Sequence, residues 1–220
     1  MGRPPRITVG GLVYHALNRA SGGAHIFNKP GDREAFEKVL GEAKQQVLMR
    51  VLAYCVMPTH WHLVLWPWGD GDLPRFVQWL TKNHVERWRS FRRAPGLGHL
   101  YQGRFKSFPV QTDRHFLAVC RYVERNPVAA GLVERAEDWR WSSLWRRLNE
   151  APADDGLLSA WPVPVPPDWV SIVNGPEDGA ERKALSECAR SGRPFGEDKW
   201  VARIAGAEDL SSSGLQEAAG

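Results

Sequence analysis

Cysteine is scarce in this 220-residue chain: there are three, Cys55, Cys120 and Cys188, odd in number and far apart. No CxxC pair and no Cys/His zinc spacing occurs, so the thiols read as reduced core residues and neither a disulfide framework nor a zinc-bound fold is expected. Also missing is any uninterrupted apolar run near the roughly 20 residues that a bilayer-spanning helix needs, which argues against a membrane role. The opening residues MGRPPRITVGG are basic but hold no apolar core. No secretory leader is therefore expected, and the cytoplasm is the expected location. Internal repeats are absent. What remains is the composition of a soluble globular protein, 43% hydrophobic and 25% charged, with length for one sizeable domain and an appendage.

Acid is scarce in one place. From Lys82 to Lys106 the chain carries Lys82, Arg87, Arg89, Arg92, Arg93, Arg104 and Lys106, with Glu86 as the one carboxylate and Trp88, Phe91, His99 and Tyr101 interleaved. The formal net charge of the whole chain is +4. Cations that hold phosphates, set beside rings that stack on bases, suit a single-stranded nucleic acid. A solvated helix face produces similar runs.

Periodicity gives the architecture. A strand is expected over residues 8–18, broken at its front by Gly10 and Gly11, then a helix over 32–47 with Phe36, Val39, Leu40, Ala43 and Val47 at helical spacing. Two strands follow over 50–57 and from His60, separated by Pro58 and Thr59 as a hairpin. Next come a helix over 72–91 with Asp72 as its cap, a strand over 105–110, and a helix from Asp113 that is expected to stop near Asn126, because Pro127 disfavours helical geometry in the residue before it. The order predicts an α+β fold: a ferredoxin-like split βαβ sandwich, an antiparallel sheet with helices on one face, plus an extra C-terminal helix. Residues 1–150 form the expected domain, 151–175 a proline-rich linker or arm, and 176–220 a small C-terminal extension. That extension is weakly helical around the turn SGRPFG, and its last residues, SSSGLQEAAG, read as disordered.

The stretch PTHWHLVLWP puts two histidines inside an apolar strand. Side chains alternate, so Trp61, Leu63 and Leu65 face one way while His60, His62 and Val64 face the other, the imidazoles roughly 7 Å apart along the backbone. Such a pair suits a metal ion or phosphate and equally suits two hydrogen-bonded core residues. The last core helix carries RYVERNP, with Tyr122 and Asn126 one turn apart and His115 on the same line. An Asn126 amide oxygen there would complete a His-His-Asn site with the Tyr122 hydroxyl pointing into it. A half-buried packing tyrosine and a helix-ending asparagine are the plainer interpretation.

The constellation resembles the single-tyrosine HUH transposases, and within them the REP-associated tyrosine transposases. His60-Trp61-His62 is similar to the His-hydrophobic-His motif and RYVERNPVAAGLV to the nucleophile motif; YHALNRA, GHLYQGRFKSF and DWRWSS also match, in order, over roughly residues 5–150. Glu124 and Arg125 depart from the acidic-aliphatic pair of many relatives, and Trp61 is bulky for the middle position of its motif. The resemblance implies that Tyr122 cuts one DNA strand as a 5′-phosphotyrosine and rejoins it, with Mg2+ or Mn2+ held by His60, His62 and Asn126. It also implies hairpins of palindromic repeats as partners, contacted by Lys82, Arg89, Arg92, Arg93, Arg104 and Lys106. His115 is expected near the site, as a DNA contact or behind a ligand. Monomer and homodimer are both open. The competing functions are a silent nucleic-acid-binding module and a phosphodiesterase that uses water in place of Tyr122.

Overall fold

The computed structural model describes residues 8–93, 98–149 and 156–206; the SSSGLQEAAG tail, the start of the proline-rich arm and part of the glycine-containing loop after Arg93 lie outside the described residues. Strand β1 (Val13–Arg19) leads through helix α1 (Pro30–Gln46) to strands β2 (Met49–Val56) and β3 (His60–Pro67). Helix α2 (Asp72–Arg92) then leads to strand β4 (Lys106–Val110) and helix α3 (Arg114–Ala129). Four strands pair antiparallel in the order β2-β3-β1-β4. That is the split βαβ arrangement expected from the element order.

β1 begins later than the periodicity suggests, because a turn at Gly10 and Gly11 precedes it. Gly11 is left-handed (φ 77°), and a Cβ on Gly10 would lie 2.6 Å from the Trp68 carbonyl oxygen, so only glycine lets the two backbones approach here. Asp72 is the first residue of α2 and not its cap; its carboxylate accepts the Gly69 N–H at 2.8 Å.

Alternation along β3 divides the core. Trp61, Leu63 and Leu65 pack with Tyr14, Phe36, Leu40, Phe76 and Leu80 beneath α1 and α2. On the opposite face Val64 and Phe108 meet Phe116, Val119, Cys120 and Val123 of α3. Cys55 and Cys120 are buried free thiols there, as expected.

α3 runs on past Pro127 to Ala129, beyond the expected stop. Proline removes one donor, its own, and the last turn survives because the Ala130 N–H bonds to the Asn126 carbonyl at 3.0 Å. Gly131 (φ 66°) then turns the chain out.

The chain beyond α3 covers the rest of that face with α4 (Ser143–Asn149), α5 (Trp169–Asn174) and α6 (Gly179–Ser191), followed by a helical stretch over 198–206. Trp169, Val173 and Leu185 are buried against α3, and Leu157 reaches the core under α1. Glu124, fully buried, accepts from Ser143 Oγ at 2.5 Å, Arg147 Nη1 at 2.8 Å and Trp169 Nε1 at 2.7 Å. Arg125 donates to the Val173 carbonyl at 3.0 Å and Arg121 to the Gly175 carbonyl at 3.0 Å, so Glu124 and Arg125, the pair that departs from the family pattern, tie α5 to α3 together with Arg121. Part of the SGRPFG turn pairs with the free edge of β4: the Phe195 N–H donates to Pro109 at 2.9 Å and the Gln111 N–H to Phe195 at 3.0 Å. Covering an edge strand in this way blocks its use as a template for another chain. Among the described residues no helix is long and apolar enough to cross a membrane.

Candidate active site

The β1–β3 register sets Arg19 opposite His60 and Leu17 opposite His62. His15, two residues earlier on the same face, reaches diagonally to His62. The two rings stack at 5.1 Å between centroids, with His15 Nε2 2.9 Å from His62 Nδ1. His60 has its Nδ1 at 3.0 Å from Thr59 Oγ1, and its ring lies 4.9 Å from that of His62. Both imidazoles thus have Nδ1 engaged from behind, which fixes the rings and leaves Nε2 as the unspent nitrogen when the His62 Nδ1–H donates to His15.

α3 lays Tyr122 across this pair. Its ring stands edge-on to His62 at 5.7 Å and to His15 at 6.0 Å. One turn later the Asn126 amide donates to the Tyr122 carbonyl at 3.2 Å. His60, His62, Tyr122 and Asn126 all line one cleft of about 430 Å³. Sequence spacing alone could not join β3 to α3; the sheet does so.

Burial controls the charge states. It lowers His15 to about 3, with the neighbouring His60 adding to the effect, and lowers His60 to about 4, with Arg19 adding. His62 is pushed well below the ordinary value, by burial first and by His60, His15 and Arg19 after it. All three rings are neutral at physiological pH, the form that binds metals. The Tyr122 hydroxyl is raised by burial, while a hydrogen bond with Asn126 and the charges of Arg182 and Arg19 act in the other direction.

The donor set fits a divalent ion. Among the described residues no group of three His, Cys, Asp or Glu side chains is arranged to hold a metal, and His15 spends its Nε2 on His62. The His60 and His62 imidazole nitrogens and the Asn126 amide oxygen line one cleft and offer a mixed N,O donor set of a kind compatible with Mg2+ or Mn2+.

The family model described as "Transposase IS200 like" matches residues 8–126, from the segment before β1 through Asn126 and more than half of the chain. The chain belongs to the IS200-like transposase family. A Haemophilus influenzae protein, assigned by name to the REP-associated tyrosine transposases, is 27% identical over 106 residues, which are 44% of this chain and 60% of that protein. The chain therefore spans about 60% of the length of that curated relative. A solved REP-associated tyrosine transposase bound to a REP hairpin superposes with a TM-score of 0.58 at 18% identity, over 81% of this chain and 93% of that one. The likeness carries the fold beyond residue 126.

In this IS200-like transposase the expected cations separate into three groups. Lys82 and Arg89 line a groove of about 810 Å³ beside α2, together with His99 and Phe105. Arg104 lines both that groove and the active-site cleft, and Lys106 lines the cleft. Arg92 is instead ion-paired to Asp32 at 2.8 Å and lies over the Trp88 ring, while Arg93 is exposed at the end of α2. His115 does not line the cleft: its Nδ1 bonds to the helix-capping Asp113 at 2.7 Å and its ring meets Phe195.

Sequence reasoning missed His15, Arg19, Gln102, Arg182 and Arg190, which contact or line the site. His15 and Arg19 stand in YHALNRA, four residues apart on the cleft face of β1, a signal the strand period carries.

Proposed function

We propose that this chain is a single-stranded DNA endonuclease and strand transferase that uses Tyr122 as its nucleophile. The observation that carries this reading is the convergence of His60, His62, Tyr122 and Asn126 on one cleft edged by Arg19, Arg104 and Lys106. A pure binding module has no use for a neutral imidazole pair beside a half-buried tyrosine. The substrate class is DNA whose palindromic repeats fold into hairpins, supported by the solved relative bound to a REP hairpin. On this reading the protein works in the cytoplasm, where such DNA is found. The catalytic motifs on this reading lie within residues 1–150, with 151–175 an arm and 176–220 an extension whose Arg182 and Arg190 reach the same cleft.

Tyr122 Oη attacks the scissile phosphorus, forming a P–O(tyrosine) bond as the bond to the 3′ oxygen breaks; the phenol loses a proton and the leaving 3′ oxygen gains one. Reversal by an incoming 3′-hydroxyl releases the tyrosine and rejoins the strand, so no bond energy is lost to water. Burial keeps the hydroxyl protonated at neutral pH, and Asn126, Arg182 and Arg19 favour the phenolate as it develops. His60, His62 and Asn126 would hold Mg2+ or Mn2+, which supplies polarisation of the phosphate oxygens when bound. Arg104 and Lys106 hold backbone phosphates beside Tyr122, and Lys82 and Arg89 extend that track along α2.

The test is a denaturing gel of the protein with labelled hairpin oligonucleotides carrying single-stranded flanks, with and without Mn2+ or Mg2+. A covalent protein–DNA band that requires the ion and disappears in Tyr122→Phe is expected. Tight binding without adduct or cleavage would make the chain a silent binder, and cleavage retained by Tyr122→Phe would make water the nucleophile.

A further inference from the structure

The family motifs account for β1, β3, β4 and α3, yet the cleft has another wall. Arg182, Ser186 and Arg190 recur every four residues along α6 and all line the cleft that holds Tyr122. A neighbouring stripe of the helix is apolar, with Leu185 and Cys188 buried in the core shared with α3. α6 is a docked part of the fold: Arg121 and Arg125 hold the carbonyls just before it, and Phe195 just after it pairs with β4. Its own capping is regular, the Asp178 carboxylate accepting the Ala180 N–H at 2.8 Å.

The cleft is electrostatically one-sided. Arg19, Arg104, Lys106, Arg182 and Arg190 line it, and no Asp or Glu does among the described residues. One of the α6 cations, Arg182, has a carboxylate partner outside the cleft, Glu177 at 3.3 Å. Five cations around one opening repel one another, an arrangement that favours a polyanion between them. Tyr122 and Arg182 line the same cleft, so α6 borders the tyrosine and not a remote surface.

We infer that α6 is a phosphate-binding wall of the active site, in which Arg182 and Arg190, with the Ser186 hydroxyl between them, hold the backbone of the single-stranded segment next to the bond Tyr122 attacks. This rests on the function proposed above and adds a second set of contacts, from the C-terminal part of the chain, to those of β4. Eight residues of α-helix separate the Cα atoms of Arg182 and Arg190 by about 12 Å along the axis, which spans more than one nucleotide step. The ligand is recognised by charge and not by base, so the segment held here is sequence-tolerant.

The experiment measures affinity for two DNAs, a hairpin with a single-stranded tail and the same hairpin with none, across a salt series and in the Tyr122→Phe background so that no covalent trapping intervenes. The double variant Arg182→Ala/Arg190→Ala is compared with Arg182→Lys/Arg190→Lys and with Lys199→Ala, an exposed cation outside the cleft. Loss of two single-strand phosphate contacts lowers the salt slope for the tailed DNA by about 1.4, leaves the tailless hairpin unchanged, and is rescued by the lysines. An unchanged slope on tailed DNA, an equal loss on both DNAs, or tighter binding by the alanine variant would each overturn the assignment. If the parent protein forms the adduct while the slope is unchanged, the α6 wall alone fails. If the parent neither binds nor reacts with any hairpin DNA, the proposed function fails with it.

Discussion

On the face covered by α1 and α2, His84 Nδ1 lies 2.8 Å from the Tyr101 hydroxyl, which also accepts the Trp61 indole N–H at 3.1 Å. On the face covered by α3, His62 bonds His15 at 2.9 Å and meets the Tyr122 ring edge-on. Both faces pair a buried imidazole with a tyrosine, and burial lowers both imidazoles and raises both phenols. They differ in what is left over. The Tyr101 hydroxyl is enclosed by its partners, so the trio behaves as a closed network that holds α2 to the sheet. Tyr122 keeps part of its surface in a cleft lined by cations and by Asn126, whose amide donates to the Tyr122 carbonyl. Residue type does not separate the two tyrosines; what separates them is that only Tyr122 lines the cleft with Arg19, Arg104 and Lys106, which makes it the proposed nucleophile.

Exchanging the two tyrosines in turn breaks the comparison most sharply. Tyr122→Phe is expected to reduce adduct formation by about 10⁴-fold or more while thermal stability stays close to the parent. Tyr101→Phe is expected to do the reverse, keeping the adduct and costing roughly 1–3 kcal/mol in urea unfolding, because His84 and Trp61 lose their shared partner. Comparable loss of adduct in both would erase the distinction.

The histidine behind His62 gives the next effect. His15→Ala removes the group that orients the ring and should weaken Mn2+ binding, read by calorimetry, by about 10- to 100-fold. His84→Ala should leave Mn2+ affinity alone.

Acid strikes both faces together. The folded values of His15, His60 and His84 lie at about 3, 4 and 4, below the 6.5 of a free imidazole, and His62 lies lower still than that free value. The unfolded chain therefore binds more protons, so stability is present above pH 6.5 and falls steadily as pH drops toward 4. Melting temperatures recorded from pH 7.5 to 4.5 should decline over that window, and a flat profile would mean the rings charge freely in the folded protein.

The smallest effect separates two arginines of the basic stretch. Arg104→Ala should lower the salt slope of DNA binding by about 0.7 to 0.9. Arg92→Ala should leave that slope unchanged and cost about 1 kcal/mol of stability, since its partner Asp32 is nearly buried and loses an ion pair.

The strands, the split βαβ element order and the shared face of His60 and His62 are legible because periodicity and strand alternation are local information. The same holds for Tyr122 and Asn126, one helical turn apart. What sequence does not carry is the azimuth at which α3 meets the sheet and the partner each long side chain finds. Asp32 lies sixty residues before Arg92, so nothing in the basic stretch distinguishes Arg92 from Arg104. His115 shares a helical line with Tyr122, but two turns of helix carry it away from β3 to Asp113 and Phe195. α5 escaped notice because six residues between prolines and a glycine show too little periodicity, and its place is fixed by Glu124, Arg121 and Arg125 from a distant helix.

Glu124 has a mechanical meaning as well. Two residues along a helix turn the side chain by about 200°, so Glu124 points almost directly away from Tyr122. Pinned by a hydroxyl, a guanidinium and an indole on the far side, it acts as a key in a shaft: α3 cannot rotate without pulling a carboxylate out of its lock. The tyrosine is thus aimed once, at folding, and stays aimed. In the proposed reaction, which first cuts and then rejoins, the strand ends would do the travelling past a stationary anvil.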